Sequence, residues 1–512
     1  MTSHDIPYYL DYLSAPLLDR LERDGQPVEA VPGLTVAKGL RDDFDHLETD
    51  EALAFACELY RRTRDDLREV LDKRARDRAF IDRTVEELNA KNADRDYLSP
   101  DYETIIGRTD EEGRVLVGPL PEDDRTDIDK LEPVEISEPM QGMHVTLFGP
   151  ADTPKMSINA MNALHRKAPN EPDIITELVE ESGAVPKWGA DNEDSKTPIM
   201  HAFLKACDNL VGCFDGTLRF EDEERDKVYE LADEKLAKPI KRIPGLALPD
   251  GSHLLDGNPL PLHLYDFAMH LFHNWEHPEA LTFYIPKLEN EEEAAYLKAL
   301  IAEAESMLKE RHPAYEKGTV KVILVFENPR AIFRIREMAE ALAPHFIGGS
   351  LGWHDFLAST ARLFKNDPNY RIPVKADPNI VVNHIKESHE ILARALEPMG
   401  AIKIGGMYGV LFEAGNDASL QVSMVGYIKD VIAQLKRGLD GFWVAHPDFV
   451  RVGIALVEAY RRHEDDPEDD ALERLVAALV SDPDEREPLL DFVFDDDVPG
   501  LPEDDPLYRR GV

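Results

Sequence analysis

Short apolar runs alternate with amphipathic stretches from about residue 144 to residue 450. Seven of these runs have the β-branched and aromatic content typical of buried strands: Val145–Phe148, Val185–Ala190, Thr282–Ile285, Val320–Phe326, Phe346–Gly349, Ile402–Ile404 and Phe442–Ala445. Helix-patterned segments lie between them: Ala294–Glu310, Arg330–Leu342, Val381–Leu396 and Leu420–Leu439. Repeated strand and helix implies parallel strands joined by crossover helices. Over about 300 residues, the pattern predicts an α/β fold, a closed (β/α)8 TIM barrel rather than an open sheet.

The segments on either side of the predicted barrel differ from it in pattern. A long amphipathic helix is predicted over residues 50–90, followed by connecting segments to residue 142. After residue 450, a helix over Val452–Arg462 leads into a run of acids and a second short helix over Ala471–Val480. We therefore predict an N-terminal helical flanking region (1–142), a barrel (143–450) and a short acidic C-terminal helical segment (451–512).

The charge balance excludes some ligands and indicates an environment. The chain has 512 residues, with 101 Asp plus Glu against 58 Lys plus Arg, a formal net charge of −43. Nucleic acid and anionic membranes need a basic surface, so neither is expected as a partner. Concentrated salt would screen so much self-repulsion, which favours a halophilic cytoplasmic protein. The three cysteines form no metal-binding pattern, and neither a signal peptide nor a membrane span is expected.

Candidate chemistry lies where predicted strands end, because catalytic groups of parallel barrels sit at the carboxyl ends of the strands. The strand over Val320–Phe326 ends at Glu327, and the next strand leads through a glycine-rich stretch to Asp355. The two carboxylates are about one βα repeat apart, so they are expected at neighbouring strand ends. Two carboxylates without His or Cys suit Mg²⁺. The alternative is structural: a Glu paired with an Arg, and an Asp capping a helix.

Two further segments carry unusual charge. The strand before Asp191 ends in three acids, Asp191, Glu193 and Asp194, which could hold the waters of a metal ion from its second shell. Capping of the next helix by Asp194 or Ser195 explains them equally well. Arg242 stands in a segment predicted to turn tightly, where its guanidinium suits a carboxylate or a developing enolate oxygen. The alternative is a surface arginine, which is the commoner role of a lone Arg in a turn.

In order and spacing, the motifs of residues 145–450 resemble malate synthase of the A type. The matching pieces are Phe148-Gly-Pro-Ala-Asp, Lys155-Met-Ser-Ile-Asn-Ala160, Ala190-Asp-Asn-Glu-Asp-Ser195, Leu264-Tyr-Asp-Phe267, Phe272-His-Asn274, Phe283-Tyr-Ile-Pro-Lys-Leu-Glu289, Glu327, Gly352 to Asp355, Asn366-Asp-Pro-Asn369, Gly405-Gly-Met407 and Asp440-Gly-Phe-Trp-Val-Ala-His-Pro447. The resemblance covers about 60% of the chain. It implies a TIM-barrel acyltransferase of the glyoxylate bypass that uses Mg²⁺ to condense acetyl-CoA with glyoxylate, releasing malate and CoA.

Carried over to this sequence, the resemblance assigns roles to individual residues. It implies metal binding by Glu327 and Asp355, substrate binding by Gly352, Trp353 and His354, and stabilisation of the enolate by Arg242. The family's catalytic base is an Asp within a Glu-Asp-Ala-Ala-Thr-like motif, and residues 451–512 contain no such motif. Either the chain stops before it, or another carboxylate acts, or the protein is a malyl-CoA or citramalyl-CoA type lyase. A barrel that only binds is a third hypothesis, against which both metal carboxylates argue.

Overall fold

Eight parallel strands form a closed barrel in this computed structural model. The structure describes residues 5–95, 99–128, 131–168, 170–193, 199–363, 365, 383–409, 413 and 415–495. The barrel strands are β3 (His144–Pro150), β4 (Lys187–Asp191), β7 (Lys238–Arg242), β10 (Thr282–Ile285), β11 (Lys321–Phe326), β12 (Phe346–Leu351), β13 (Ile402–Tyr408) and β14 (Gly441–Val444). Each strand pairs with the next one along the chain, and β14 closes on β3. The predicted (β/α)8 barrel is confirmed.

Fourteen α-helices lie within the part of the chain that the structure describes. They are α1 (Ala15–Asp24), α2 (Asp50–Lys91), α3 (Pro154–Met161), α4 (Asp173–Ser182), α5 (Met200–Phe214), α6 (Leu262–Asn274), α7 (Glu291–Arg311), α8 (Ile335–Leu342), α9 (Trp353–Leu363), α10 (Asn383–Leu396), α11 (Asp417–Lys436), α12 (Val450–Asp465), α13 (Ala471–Leu479) and α14 (Pro483–Phe494). None of these described helices is long and apolar enough to cross a bilayer.

Two short antiparallel sheets accompany the barrel. A hairpin of β5 (Arg219–Asp222) and β6 (Lys227–Glu230) precedes β7. The second sheet has four strands: β1 (Gln26–Pro27), β2 (Leu34–Val36), β8 (Pro249–Leu255) and β9 (Asn258–Pro261), in the order β1-β2-β8-β9. It joins the N-terminal region to the segment between β7 and α6.

The barrel interior is apolar below its carboxyl end. Alternate residues of the strands point inward, so one face of each strand fills the lumen. The inward-facing side chains cluster together and include Ile240, Tyr284, Ile323, Val325, Ile347, Ile402, Ile404 and Trp443. Met140, which precedes β3, joins this cluster and is fully buried. The lumen is therefore a packed and largely apolar core.

Three elements differ from the sequence-based expectation. The first is β7, which was not predicted; it places Arg242 at the end of a strand rather than in a tight turn. The second is α8, which begins at Ile335, because Arg330 and Arg334 before it are buried in contacts with other segments. The third is α14, a helix within the Pro- and Asp-rich end. The charged side chains of Arg330 and Arg334 are buried against partners that are distant in the chain, and a sequence pattern does not show such partners.

The predicted helix over residues 50–90 is α2, a 42-residue helix packed on α6 and α7. Leu53, Tyr60, Leu67 and Leu71 are all buried, as their spacing indicates. The arginines near residues 61–68 lie toward solvent. The amphipathic pattern thus identified which face of the helix meets the barrel.

A buried charged triad connects the N-terminal region to the four-stranded sheet. His253 of β8 donates from Nδ1 to Asp250 at 2.5 Å and from Nε2 to Glu48 at 2.7 Å. Tyr265 of α6 donates a further hydrogen bond to Glu48. All four side chains are excluded from solvent. Although burial opposes the charge, the two carboxylates raise the pKa of His253 to about 10, so the imidazole is cationic at neutral pH.

The C-terminal helices pack on the outside of the barrel. α12 follows β14 and packs on α4 and β3, while α13 and α14 pack beside α12 and α11. Their apolar residues share one core with β3 and β14. The boundaries drawn at 142/143 and 450/451 remain predictions.

Candidate active site

Three charged side chains reach the rim of the barrel because they continue the inward-facing register of their strands. Asp191 ends β4, Arg242 ends β7, and Glu327 directly follows β11. Asp191 and Arg242 are paired in register across neighbouring strands. All three residues are largely buried. The carboxyl end of the barrel therefore gathers the acids and the arginine that the sequence singled out.

Glu327 is enclosed at this rim. Its Oε1 accepts the backbone N–H of Lys287 at 2.8 Å, and Gly352 lies against its side chain. A Cβ at position 352 would come within 2.1 Å of Glu327 Oε2, so only glycine allows this approach. Burial raises the pKa of Glu327 to about 7, against the lowering effect of Arg242 and Lys287. Burial therefore outweighs the two neighbouring cations in setting the pKa of this carboxyl.

Asp355 lies beside Glu327, in the first turn of α9. Its Oδ2 is 3.5 Å from Nζ of Lys287, and its charge contributes to the raised pKa of Glu327. About a third of the Asp355 side chain is exposed, whereas Glu327 is buried. The pair thus presents one enclosed and one accessible carboxylate at the mouth of the barrel.

Arg242 is held by acids on one side and by an aromatic ring on the other. Its Nη2 donates to Glu193 Oε2 at 2.7 Å, and its Nη1 is 3.5 Å from both carboxylate oxygens of Asp191. Its guanidinium lies 5.6 Å above the ring of Phe148, which stacks on Trp443 at 4.3 Å. Salt-bridged and stacked, the guanidinium has one orientation over an apolar floor.

Glu193 lies between the two cations of the site. Both of its carboxylate oxygens lie 2.6 Å from Nζ of Lys287, and one also accepts from Arg242. The side chain is almost completely buried. Asp191 accepts the backbone N–H of Glu193 at 2.9 Å. The geometry therefore links Asp191 and Glu193 to the two cations of the site, while a second-shell role toward a metal stays a prediction.

The remaining predicted site residues are spread over different surroundings. Trp353 is buried at the start of α9, with its ring 6.2 Å from that of Phe356, and it lines a small cavity behind the strand end. His354 is exposed. Asp194 and Ser195, and the segment around Asn366, lie outside the described residues. The substrate-binding assignments of Gly352, Trp353 and His354 remain predictions.

Lys287 is the functional residue that the sequence reasoning missed. It follows β10, at the same end of the barrel as the other groups, and has a left-handed backbone with φ of 59°. Its ammonium contacts Glu193 and Asp355, and its amide contacts Glu327. A signal was present, because a polar residue at a strand end was the criterion that identified the acids. The strand-end residues singled out in the sequence were acids and Arg242, and Lys287 was not among them.

A buried ion-pair network supports the loop that carries Lys287. Arg74 of α2 donates to Glu293 through Nε at 2.7 Å and Nη2 at 2.5 Å, and to the carbonyl of Lys287 at 3.0 Å. Arg330, which follows β11, contacts Asp77 of α2 at 2.5 Å. Helix α2 therefore contacts the loops after β10 and β11 directly.

The charge inventory of the rim suits a divalent cation. Arg242 and Lys287 face the carboxylates of Asp191, Glu193, Glu327 and Asp355, so with all four acids ionised these six side chains carry a net charge of −2. Among the described residues, no group of three or more His, Cys, Asp or Glu side chains has the arrangement of a metal cage. Two neighbouring carboxylates, one of them partly exposed, match the coordination of Mg²⁺, which binds through one or two carboxylates and keeps several waters. The residues present therefore fit the ion.

Known proteins were compared with this chain. A family model described as the malate synthase TIM barrel domain matches residues 239–474. The glyoxysomal malate synthase of Ricinus communis is 24% identical over 444 residues, covering 85% of this chain and 68% of that protein. The malate synthase of Streptomyces clavuligerus is 29% identical over 433 residues, covering 82% and 70%. For the glyoxysomal enzyme of Brassica napus, the matched share is 51% of that protein. The resemblance to malate synthases is confirmed.

Solved structures show more distant likenesses. The Haloferax volcanii malate synthase, determined at 3 mM glyoxylate, aligns with a TM-score of 0.41 at 13% identity, over 70% of this chain and 98% of that one. The Mycobacterium tuberculosis protein CitE, in complex with magnesium and acetoacetate, aligns with a TM-score of 0.36 at 15% identity, over 67% and 99%.

Proposed function

We propose that this protein is a malate synthase, an acyltransferase that condenses acetyl-CoA with glyoxylate and hydrolyses the thioester to (S)-malate and CoA. The observation that carries the proposal is the joint placement of Arg242, Glu327 and Asp355 at one end of a barrel whose sequence resembles malate synthases. The magnesium requirement and the place in the glyoxylate bypass are part of the proposal.

The residues of the rim divide the work of the reaction between them. Glu327 and Asp355 would hold Mg²⁺, which supplies Lewis-acid polarisation of the aldehyde when bound. Gly352 leaves room for the carboxylate with which Glu327 would hold the ion. Since it is buried, the carboxylate cannot reorient freely toward water.

Arg242 would stabilise the enolate that forms when acetyl-CoA loses a methyl proton. Its guanidinium is oriented in advance by Glu193 and by the ring of Phe148. A preorganised donor aimed at a developing negative charge is worth about 3–4 kcal/mol in comparable sites. The ring of Phe148 below the guanidinium stacks in turn on the ring of Trp443.

The group that removes the methyl proton separates this proposal from a second candidate. Residues 451–512 contain no Glu-Asp-Ala-Ala-Thr-like motif, and the described helices α12–α14 lie against the outer layer of the barrel. A malyl-CoA or citramalyl-CoA type C–C lyase is the alternative to the proposed synthase, since it would use the same metal carboxylates without hydrolysing the thioester.

One assay distinguishes the two candidates. Purified protein in molar salt, with Mg²⁺, acetyl-CoA and glyoxylate, is monitored for free thiol and for malate. Release of both supports the synthase, whereas malyl-CoA formed without thiol release supports the lyase. A folded sample that does neither contradicts both candidates. Molar salt is used because we also propose that the charge of −43 reflects a salt-rich cytoplasm.

A variant of Asp355 tests the metal assignment. Asp355→Ala should abolish Mg²⁺-dependent turnover and leave the fold intact, since the side chain is partly exposed and its ion pair with Lys287 is a long one, at 3.5 Å. Asp448→Ala is a matched control, because Asp448 pairs with Arg166 at 2.5 Å after β14 and has no part in the proposal. Undiminished activity of Asp355→Ala would remove the metal assignment.

A further inference from the structure

The ammonium of Lys287 contacts two acids that belong to different parts of the site. Its Nζ lies 2.6 Å from each carboxylate oxygen of Glu193 and 3.5 Å from Oδ2 of Asp355. Glu193 in turn binds Arg242 at 2.7 Å. One ammonium therefore touches an acid that orients the arginine and an acid proposed to bind the metal.

The backbone of Lys287 holds the side chain in this place. The left-handed φ of 59° is unfavourable for a lysine, and it is maintained from both sides of the residue. The amide donates to Glu327, and the carbonyl accepts from Arg74 at 3.0 Å. The loop is thus built to direct the lysine back across the mouth of the barrel.

We propose that Lys287 is a positioning residue that sets the charge of this site, so that the site accepts a divalent cation together with a monoanionic substrate. The inference rests on the proposed function. With all four acids ionised, the six side chains carry a net charge of −2, and the five that remain without Lys287 carry −3. A deficit of two is balanced by a divalent ion, which leaves no excess negative charge to repel an incoming carboxylate.

Lys287 also keeps Glu193 from cancelling the charge of Arg242. Glu193 is nearly completely buried and lies between the two cations, so its charge is shared between them. If Lys287 were neutral, Glu193 would pair with Arg242 alone, and the guanidinium would offer less positive potential to the substrate. Binding of the anionic substrate should therefore weaken while binding of cations strengthens.

The test compares Lys287→Met, Lys287→Arg and a control lysine variant. Lys317→Met removes the same charge at the opposite end of the barrel, where Nζ donates to Ser306 at 2.9 Å. The probes are Mg²⁺ and Tb³⁺ alone, by calorimetry and sensitised luminescence, and glyoxylate added to the Mg²⁺-loaded protein. Neither cation measurement depends on turnover, and circular dichroism reports whether each variant is folded.

In Lys287→Met we expect the affinity ratio of Tb³⁺ to Mg²⁺ to rise about tenfold or more, because one more negative charge favours a trivalent ion over a divalent one. Glyoxylate should bind about tenfold more weakly, and its KM should rise more than the KM of acetyl-CoA. Lys287→Arg should restore both properties, and Lys317→Met should leave them unchanged.

Two outcomes overturn the inference, and they are separable from failure of the proposed function. The first is an unchanged affinity ratio of Tb³⁺ to Mg²⁺ in folded Lys287→Met. The second is weaker binding of both ions together with weaker binding of glyoxylate. Either result shows that the lysine does not set the charge of the site. If Lys287→Met does not fold, Lys287→Arg decides, because a loss of glyoxylate affinity there contradicts a role of charge. Wild-type protein that binds neither ion overturns the proposed metal site itself.

Discussion

Gly352→Ala tests whether the enclosure of Glu327 matters for chemistry. The added Cβ would lie 2.1 Å from Glu327 Oε2, 2.8 Å from Glu327 Cβ and 3.0 Å from its Cδ. Non-bonded carbon atoms settle at about 3.5–4.0 Å, so the carboxylate must retreat by roughly 1 Å. The contact reaches the Cβ as well as the carboxylate, so a rotation of the carboxylate alone does not relieve it. The backbone of Gly352 is not left-handed, so alanine adds no conformational strain.

Gly352→Ala should lower both the rate of turnover and the stability of the fold. A displacement of about 1 Å in a catalytic constellation costs about 100-fold in rate, equivalent to about 2.7 kcal/mol of transition-state stabilisation. Overpacking should destabilise the fold by about 1–3 kcal/mol. The assay measures Mg²⁺ affinity by calorimetry and thiol release from acetyl-CoA with glyoxylate.

Gly406→Ala is the matched control. Its Cβ would meet the Leu351 carbonyl and Trp353 Cβ at 3.6 Å, an ordinary contact in the same part of the barrel. We expect this variant to keep Mg²⁺ affinity and turnover within about threefold of wild type. Equal behaviour of the two alanine variants would refute the argument that Glu327 depends on the absence of a side chain at position 352.

Three further predictions concern groups away from the site. His253 is held cationic by Asp250 and Glu48, with its pKa raised to about 10, so its stabilising contribution is complete below its ordinary value near 6.5 and is lost as the pH rises through 10. The melting temperature of wild type should thus fall more steeply above neutral pH than that of His253→Gln, and parallel curves would contradict this. Arg74→Met leaves Glu293 buried without its bidentate partner and should cost about 3–5 kcal/mol in urea unfolding. Arg62→Met, on the same helix, loses only exposed pairs, with Glu58 and Glu303, and should cost less than about 1 kcal/mol; equal losses would be evidence against the network. Burial raises the pKa of Cys57 and Cys213 to about 12 and that of Cys207 further, so Ellman's reagent should label no thiol in the native protein and three after unfolding. Rapid native labelling would show that one of these cysteines is accessible.

Seven of the eight barrel strands could be predicted because their outer and inner faces are both apolar. The eighth, β7, reads Lys-Pro-Ile-Lys-Arg and looks like a surface segment. Its Lys241 is buried against Asp266 at 3.0 Å, and its Arg242 pairs with Glu193 at 2.7 Å. A sequence pattern shows each charged residue without its partner. The charges of β7 are neutralised by residues that are distant in the chain.

The same limit applies to the site. The spacing of Glu327 and Asp355 by one βα repeat placed them together, because the repeat length of a barrel is a local property. The partners of Glu193 are not local: Lys287 is 94 residues away and Arg242 is 49. Only the closed barrel shows that these three residues form one chain of contacts at the rim.

The ion pairs between α2 and the loops after β10 and β11 have a consequence for exchanging parts between relatives. Arg74 and Asp77 supply counter-charges that Glu293 and Arg330 need in order to be buried. A chimera that joins the barrel of this chain to the flanking helix of another protein would inherit acids and arginines without matched partners. Helix α2 and the two loops would therefore have to be exchanged together, although some 200 residues of sequence separate them.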